Sequence, residues 1–249
     1  MIANNEAGSA GSAVSQCCGP IVRCAITNNK VGNYIPQGAV YYAFNDKTLE
    51  IRDCIIARND IYEGGGIWTQ ESNISLIGST IWDLAEVYSG EAFAKNCILK
   101  EVYPDGSPNF HIEYSNVQGG WEGEGNIDID PEFIDKWGDY HLLMSSPCVD
   151  AGDPAFVAEE GEVDIDGEPR VMGGRVDMGA DEVGPKQADF TRDGRIDVSD
   201  LSVLSGAWDT MEGEGNWYVL SDLFEDGVIG LDDLVMFVDD WMWIAEWAD

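Results

Sequence analysis

One short pattern, apolar-x-x-Cys/Ser-x-apolar, returns five times between residues 21 and 117 and leaves few folds open. The copies are Ile21-Val-Arg-Cys24-Ala-Ile26, Ile51-Arg-Asp-Cys54-Ile-Ile56, Leu76-Ile-Gly-Ser79-Thr-Ile81, Ala94-Lys-Asn-Cys97-Ile-Leu99 and Ile112-Glu-Tyr-Ser115-Asn-Val117, and they start 30, 25, 18 and 18 residues apart. The runs are too short for helices, and the alternation inside each fits strands facing a common interior. A unit this short cannot bury its apolar face alone, so a drifting period predicts a stack of coils whose loops absorb the variation. Gly64-Gly-Gly-Ile-Trp68, and more loosely Gly38-Ala-Val-Tyr-Tyr42, would add a second strand face, and the small polar turns Thr27-Asn28-Asn29 and Arg58-Asn59-Asp60 follow the runs.

Together these features resemble a right-handed parallel β-helix, in which identical positions stack about 4.8 Å apart. A jelly roll or sandwich of antiparallel strands is the other reading of short apolar runs. In the coiled arrangement Cys24, Cys54 and Cys97, with Ser79 and Ser115, occupy one repeat position and form an inward ladder whose role is packing. Six cysteines (these three with Cys17, Cys18 and Cys148) could pair in an oxidising compartment, but there is no metal-type Cys-x-x-Cys.

The next stretch carries a closer resemblance. Val117-Gln-Gly-Gly-Trp121, Asn126-Ile-Asp-Ile-Asp-Pro131-Glu-Phe133, Gly138-Asp-Tyr-His-Leu142, Ser145-Ser-Pro-Cys-Val-Asp-Ala-Gly-Asp-Pro154, Asp164-Ile-Asp-Gly-Glu-Pro-Arg170 and Gly174-Arg-Val-Asp-Met-Gly-Ala-Asp-Glu182 follow in order. The series is similar to the last coils and C-terminal closure of secreted bacterial β-helix proteins, the pectin-lyase-like group, and covers residues 20–183. That group mixes lyases, hydrolases, adhesins and silent scaffolds, so the resemblance speaks to fold more than to function. It implies, for a lyase, an Arg or Lys base near a calcium held by acids, and for a hydrolase, clustered Asp residues. Candidate bases are Arg52, Arg58, Lys95 and Lys100, with Asp53, Asp60 and Asp83 as partners, and no catalytic set stands out. Arg52, Lys95 and Glu113 fall between inward positions, which predicts solvent exposure; His111 and His141 are isolated; and Asp164-Ile-Asp-Gly167 reads as a turn.

Past a short linker, Gly184-Pro185-Lys186-Gln187, the chemistry changes. From Asp189, oxygen side chains fall at positions 1, 3, 5, 9 and 12 of a loop (Asp189, Thr191, Asp193, Asp197, Asp200), with Gly194 at position 6 and the Arg195 carbonyl at position 7. A hard cation with six to eight oxygen ligands needs such a spacing, and Ca²⁺ is the expected ion. A second loop repeats it with Asp222, Asp226, Gly227, the Val228 carbonyl and Asp233, and is the weaker of the two because Phe224 and Gly230 stand at positions 3 and 9. Asp rather than Glu at position 12, followed by Leu, in two copies resembles type I dockerin modules, a paired EF-hand-type loop-helix arrangement. That resemblance implies a cohesin-like or other cell-surface protein partner. This chain departs from it at loop positions 10 and 11, where Val198-Ser199 and Leu231-Asp232 replace the usual Ser-Thr pair. Leu201, Leu204 and Trp208, then Leu234, Phe237 and Trp241, mark one apolar face on each following helix, and the aromatic tail Trp241-Met-Trp243-Ile-Ala-Glu-Trp247 is expected to pack on the pair.

Charge sets the partners. Against 13 Lys and Arg stand 47 Asp and Glu, a net charge of −34, so nucleic acid and anionic membranes would gain nothing from this surface. No apolar window is long enough to span a membrane. The N-terminal Met1-Ile-Ala-Asn-Asn lacks the basic start and apolar core of an export signal and reads as the end of a repeat, so the chain is expected to be a truncated piece of an exported protein. The resulting expectation is a mainly β protein. Residues 1–184 form a right-handed parallel β-helix, residues 185–249 a dockerin-like calcium module, and the whole is extracellular or at the cell surface. It binds or helps process polysaccharide; a polysaccharide lyase or glycoside hydrolase is the alternative.

Overall fold

The computed structural model describes residues 1–3, 5–7, 13–15, 19–31, 38–42, 47–61, 65–88, 90–105, 109–184, 186–191, 194–224 and 226–245. The chain divides into two compact units, Met1–Glu182 and Val183–Asp249. It is mainly β, with parallel sheets and two short α-helices, an arrangement compatible with a β-helix-like solenoid.

In the first unit Ile21–Val22, Thr48–Arg52, Asn73–Ile77, Glu91–Lys95 and Asn109–Glu113 pair in parallel as one five-stranded sheet. Its register stacks Ile21 on Ile51, Ile51 on Leu76, Leu76 on Ala94 and Ala94 on Ile112. A two-residue turn leads each of these strands into a second face, where Ile26, Ile56, Ile81, Leu99 and Val117 stack in the same order. A third row runs Val14, Val40, Ile67, Ala85 and Val102. The first residues of the five sequence copies are thus one row, and their last residues another. All ten of these are buried, and together with the third row they make the core. Each fully buried Ile or Leu contributes about 1.5–3 kcal/mol, which is how coils too small to fold alone hold one another. Among the described strand pairs only Phe133–Asp135 with Asp139–Leu142 is antiparallel, so these sheets are not those of a sandwich.

The turn between the first two faces explains the Cys/Ser position. The residue before it is left-handed in every copy: Arg23, Asp53, Gly78, Asn96 and Tyr114 have φ between 47° and 55°. The side chain that follows donates to the carbonyl two residues back, as in Ser79 to Ile77 at 2.9 Å and Cys97 to Lys95 at 3.2 Å. It also accepts the amide of the preceding coil: Cys24 N–H reaches Cys54 Sγ at 3.4 Å, Cys54 N–H reaches Ser79 Oγ at 3.2 Å, and Cys97 N–H reaches Ser115 Oγ at 3.0 Å. The ladder therefore does more than pack, since it satisfies backbone groups inside the corner. Cys24, Cys54, Cys97 and Cys148 are free thiols, and burial pushes Cys54 and Cys97 up to about 12. Cys17 and Cys18 lie outside the described residues.

A second polar ladder runs along the far end of the second face. Asn59 accepts from the Asn29 amide at 3.1 Å and from Asn29 Nδ2 at 3.0 Å, and donates from its own Nδ2 to Ile26 O at 2.9 Å and Asp83 Oδ2 at 2.7 Å. Asn5 adds to the row by donating to Asn29 Oδ1 from its backbone and side chain.

After one further parallel bridge, Asn116 with Ile127, the chain stops coiling. Beyond that bridge the stretch read as last coils and C-terminal closure is a turn-rich segment laid back along the corners. Ala180 N–H donates to Thr80 Oγ1 at 3.1 Å, Gly179 N–H to Asn96 O at 2.9 Å, and Asp153 N–H to Asn96 Oδ1 at 2.7 Å. At its centre Arg170, 1% exposed, donates to Asp53 at 3.0 Å, to Gly179 O at 2.6 Å and to Glu182. Its guanidinium and the Asp53 carboxylate occupy the space that a Cβ on Gly78 would need, so this corner takes glycine.

In the second unit α1 (Val198–Gly206) and α2 (Leu231–Asp239) each follow one acidic loop. Leu204 and Phe237 are fully buried with Ile196, Ile229, Phe190 and Leu223. The two tryptophans expected on the same faces, Trp208 and Trp241, are each 39% exposed, while Trp243 packs against the core. Trp247 lies outside the described residues. Among the described residues no helix is long and apolar enough to cross a membrane.

Candidate calcium loops and a groove on the coiled unit

The two acidic loops, 33 residues apart by the start positions 189 and 222, share one hydrogen-bond frame. Gly194 N–H donates to Asp189 Oδ2 at 2.9 Å, and Gly227 N–H to Asp222 Oδ2 at 2.9 Å. Thr191 N–H donates to Asp200 Oδ1 at 2.9 Å, and Phe224 N–H to Asp233 Oδ1 at 3.0 Å. Asp197 N–H reaches Asp200 Oδ2 at 2.9 Å, and Gly230 N–H reaches Asp233 Oδ2 at 2.6 Å. Carboxylates at positions 1 and 12 are thereby turned onto the loop in both copies. Gly194 and Gly227 have φ of 76° and 79°, the sharp turn that position 6 demands.

The loops also pair crosswise. Ile196 at position 8 of the first loop exchanges backbone bonds with the chain leaving α2, at Trp243 O (3.0 Å) and Met242 N (2.9 Å). Ile229, its counterpart, does the same with the chain leaving α1, at Thr210 O and Asp209 N, both 2.9 Å. Ala245 N–H to Gly194 O and Glu212 N–H to Gly227 O complete the correspondence.

The expected ligands are placed as follows. Asp189, Thr191, Arg195, Asp197 and Asp200 surround the first loop, and Asp222, Asp226, Val228 and Asp233 the second; Asp193 lies outside the described residues. Asp200 and Asp233 are buried, at 0% and 1% exposure, each in the first turn of its helix, where a carboxylate meets the positive end of the peptide dipoles. Asp197 also caps α1 by accepting Ser199 N–H at 2.7 Å, whereas Gly230 at the same place in α2 has no side chain to do so. All of these candidate ligands offer oxygen, the donor type that Ca²⁺ takes. Among the described residues, however, the acidic groups gathered within 4.8 Å of one another are those around Asp164, Asp166 and Asp181 and not those of the two loops.

On the first unit a groove of about 640 Å³ opens on the outer face of the five-stranded sheet. Its floor is the outward rows of the register: Phe93 beside His111, and Lys95 beside Glu113. Phe93, 42% exposed, stacks on His111 at 5.0 Å with the rings 13° from parallel. Lys95 bonds Asp153 at 2.7 Å and lies 3.9 Å from Glu113, and this ammonium holds the Asp153 carboxyl below its usual range. Asp153, Phe156 and Val157 form the wall and come from the closing segment.

The other candidate bases do not converge. Arg52 pairs with Glu50 and Glu162, Arg58 donates to Trp137 O, and Lys100 stands over the Trp82 ring at 5.9 Å. Asp60 pairs with Lys30 at 3.7 Å, Asp83 ends the asparagine ladder, and Asp53 is buried under Arg170. His141 bridges Asp139 and Asp166, and oxygens of Asp164, Asp166, Glu168 and Asp181 lie within 4.8 Å of one another. Asp164 Oδ1 accepts the amides of Asp166, Gly167 and Glu168 at 2.9–3.0 Å, the turn expected from its sequence. Asp164, Asp166 and Glu168 of this cluster lie in one short stretch that superficially resembles a cation loop but lacks its downstream spacing, whereas Asp181 and His141 join it only in the fold. The groove was not visible in the sequence, because its floor and wall lie far apart in the chain.

Compared with protein-family models, curated proteins and solved structures, the chain finds no match.

Proposed function

We propose that this is an extracellular calcium-binding protein. In this reading a right-handed parallel β-helix holds polysaccharide, and a dockerin-like module attaches it to a cohesin-like or other cell-surface protein. The observation that carries the reading is the duplicated frame of the two loops, down to the crossed pairing of Ile196 and Ile229. Asp189, Thr191, Asp193, Asp197 and Asp200, with the Arg195 carbonyl, would hold one Ca²⁺. Asp222, Asp226, Asp233 and the Val228 carbonyl would hold a second. The ion would neutralise the loops and fix the first turn of each helix, so binding and folding of this unit are coupled.

For the β-helix, the Phe93–His111 stack supports saccharide binding: a flat aromatic face takes the C–H face of a sugar ring, while Lys95, Glu113 and Asp153 offer donors and acceptors to its hydroxyls. The same basic residue and two acids favour a second reading, a polysaccharide lyase or glycoside hydrolase. Against it, the 2.7 Å bond commits Lys95 to Asp153 as a donor, whereas a lyase needs a base able to take a proton.

The deciding experiment incubates the calcium-loaded chain with neutral and acidic polysaccharides. It follows binding, new reducing ends and the ultraviolet absorbance of unsaturated products. Binding lost in Phe93→Ala with no product supports the holding role. Product that disappears in Asp153→Asn and Glu113→Gln establishes the enzyme. Calorimetry showing no calcium uptake removes the module reading.

A further inference from the structure

The two halves of the second unit share one backbone frame, yet their outer surfaces differ. On α2, Leu231, Val235 and Val238 are 72%, 61% and 57% exposed. At about 100° per residue these three lie within one narrow stripe, turned away from the buried Asp233 and Phe237 and bordered on one side by the half-buried Leu234. The positions 33 residues earlier on α1 are Val198, Ser202 and Ser205, so the stripe there is mostly hydroxyl. An apolar row on a helix that already buries its other face gains nothing from water.

The surroundings say what could cover it. Residues 183–249 carry 16 acids and 3 bases, a net of −13, and no Lys or Arg follows Arg195. Asp232 and Asp239 line one edge of the stripe and are exposed. A second copy of this chain would bring like charge to like charge, so self-association is opposed. The complement is an apolar surface rimmed by Lys and Arg.

We propose that α2 alone carries the docking surface of this unit, for a protein partner with an apolar centre and a basic rim, and that the matching face of α1 does not dock. The proposal rests on the reading of the unit as an attachment module and specifies its partner and its side. The repeated backbone thus offers two related faces, and the side chains select one orientation.

The test uses a synthetic amphipathic Leu/Lys helix as probe, an all-Lys peptide as charge control, and the full chain in calcium. Amide exchange of each peptide complex gives the footprint. The expected result is a saturable Leu/Lys footprint over α2. Its affinity falls about tenfold or more in Val235→Ser/Val238→Ser, which gives α2 the serines of α1, and rises in Ser202→Val/Ser205→Val, which does the reverse. All four positions are exposed, so folding is preserved, and unchanged exchange of the unbound variants verifies it. Equal affinity in wild type and the serine variant, a footprint on α1 or on the first unit, or equal binding of the all-Lys peptide would overturn the proposal. A parallel calcium titration keeps the two ideas apart. Absence of calcium binding removes the module reading, whereas calcium binding with a footprint elsewhere removes only the docking face.

Discussion

Arg170 donates to Asp53 across 117 residues of sequence, at 3.0 Å, with both side chains almost fully enclosed. The bond fastens the closing segment to the turn of a coil near the start of the stack. Removing one member of such a pair strands a buried charge, which costs about 3–5 kcal/mol. Arg170→Met is therefore expected to weaken the first unit by that order in denaturant unfolding followed by circular dichroism. A shift of less than about 1 kcal/mol would mean the segment is held by its backbone bonds alone.

The same cluster predicts a pH dependence. Burial, only partly offset by Arg170, raises Asp53 to about 6 and Glu182 to about 9. A carboxyl raised on folding keeps its proton longer in the folded state, so its contribution is complete below the unfolded value and is lost as pH rises. For Glu182 that window runs from the ordinary value of 4.5 to about 9. Wild type and Glu182→Gln are expected to match near pH 4, with wild type falling behind as pH rises toward 9. Parallel stability curves would rule this out.

Asn59 satisfies four groups on neighbouring coils, and Asn59→Ala leaves the Asn29 amide and the Ile26 carbonyl without it. Each buried orphan costs about 1–3 kcal/mol, so the variant should lose several kcal/mol in unfolding. Lys30→Ala, in an exposed pair with Asp60, should lose less than about 1 kcal/mol and serves as the control.

The Cys/Ser ladder predicts both silence and tolerance. With Cys54 and Cys97 pushed up to about 12 and Cys148 to about 11 by burial, these thiols should resist alkylation at pH 8 and react only in denaturant. Mass spectrometry of the labelled peptides reads this site by site. Cys54→Ser should keep the stability of the first unit to within about 1 kcal/mol, because Ser79 and Ser115 already make the same two bonds.

The stacking rows were legible because a coil forces chemically similar residues to the same phase, and Ile21, Ile51, Leu76, Ala94 and Ile112 carry that phase in the sequence itself. The asparagine ladder had the same kind of signal: Asn29 and Asn59 each stand five residues after a ladder cysteine, though they read locally as turn residues. Arg170 gave none, since its meaning lies in partners that the chain returns to only after the coils are built. The groove escaped for a like reason: its floor is written in the repeats, but its wall of Asp153 and Phe156 comes from the closing segment. In the second unit the loop spacing was plain, whereas the exposure of Trp208 and Trp241 depended on how two short helices meet.

The unequal loops supply a last prediction. Asp197 at position 9 of the first loop has φ −138° and ψ −159° and caps α1, while Gly230 at position 9 of the second has φ −151° and ψ −147° and caps nothing with a side chain. The backbones are nearly the same, and a Cβ on Gly230 would meet no atom within 4 Å. Gly230→Asp should therefore be accepted without strain, adding an oxygen where the first loop has one and a cap worth a few tenths of a kcal/mol to α2. In calorimetry of the full chain, wild type is expected to take up calcium in two steps of different affinity. The substitution should tighten the weaker step and leave the stronger unchanged. Tightening of the stronger step would reverse the assignment of the loops, and no change in either would show that position 9 lies outside the ligand set.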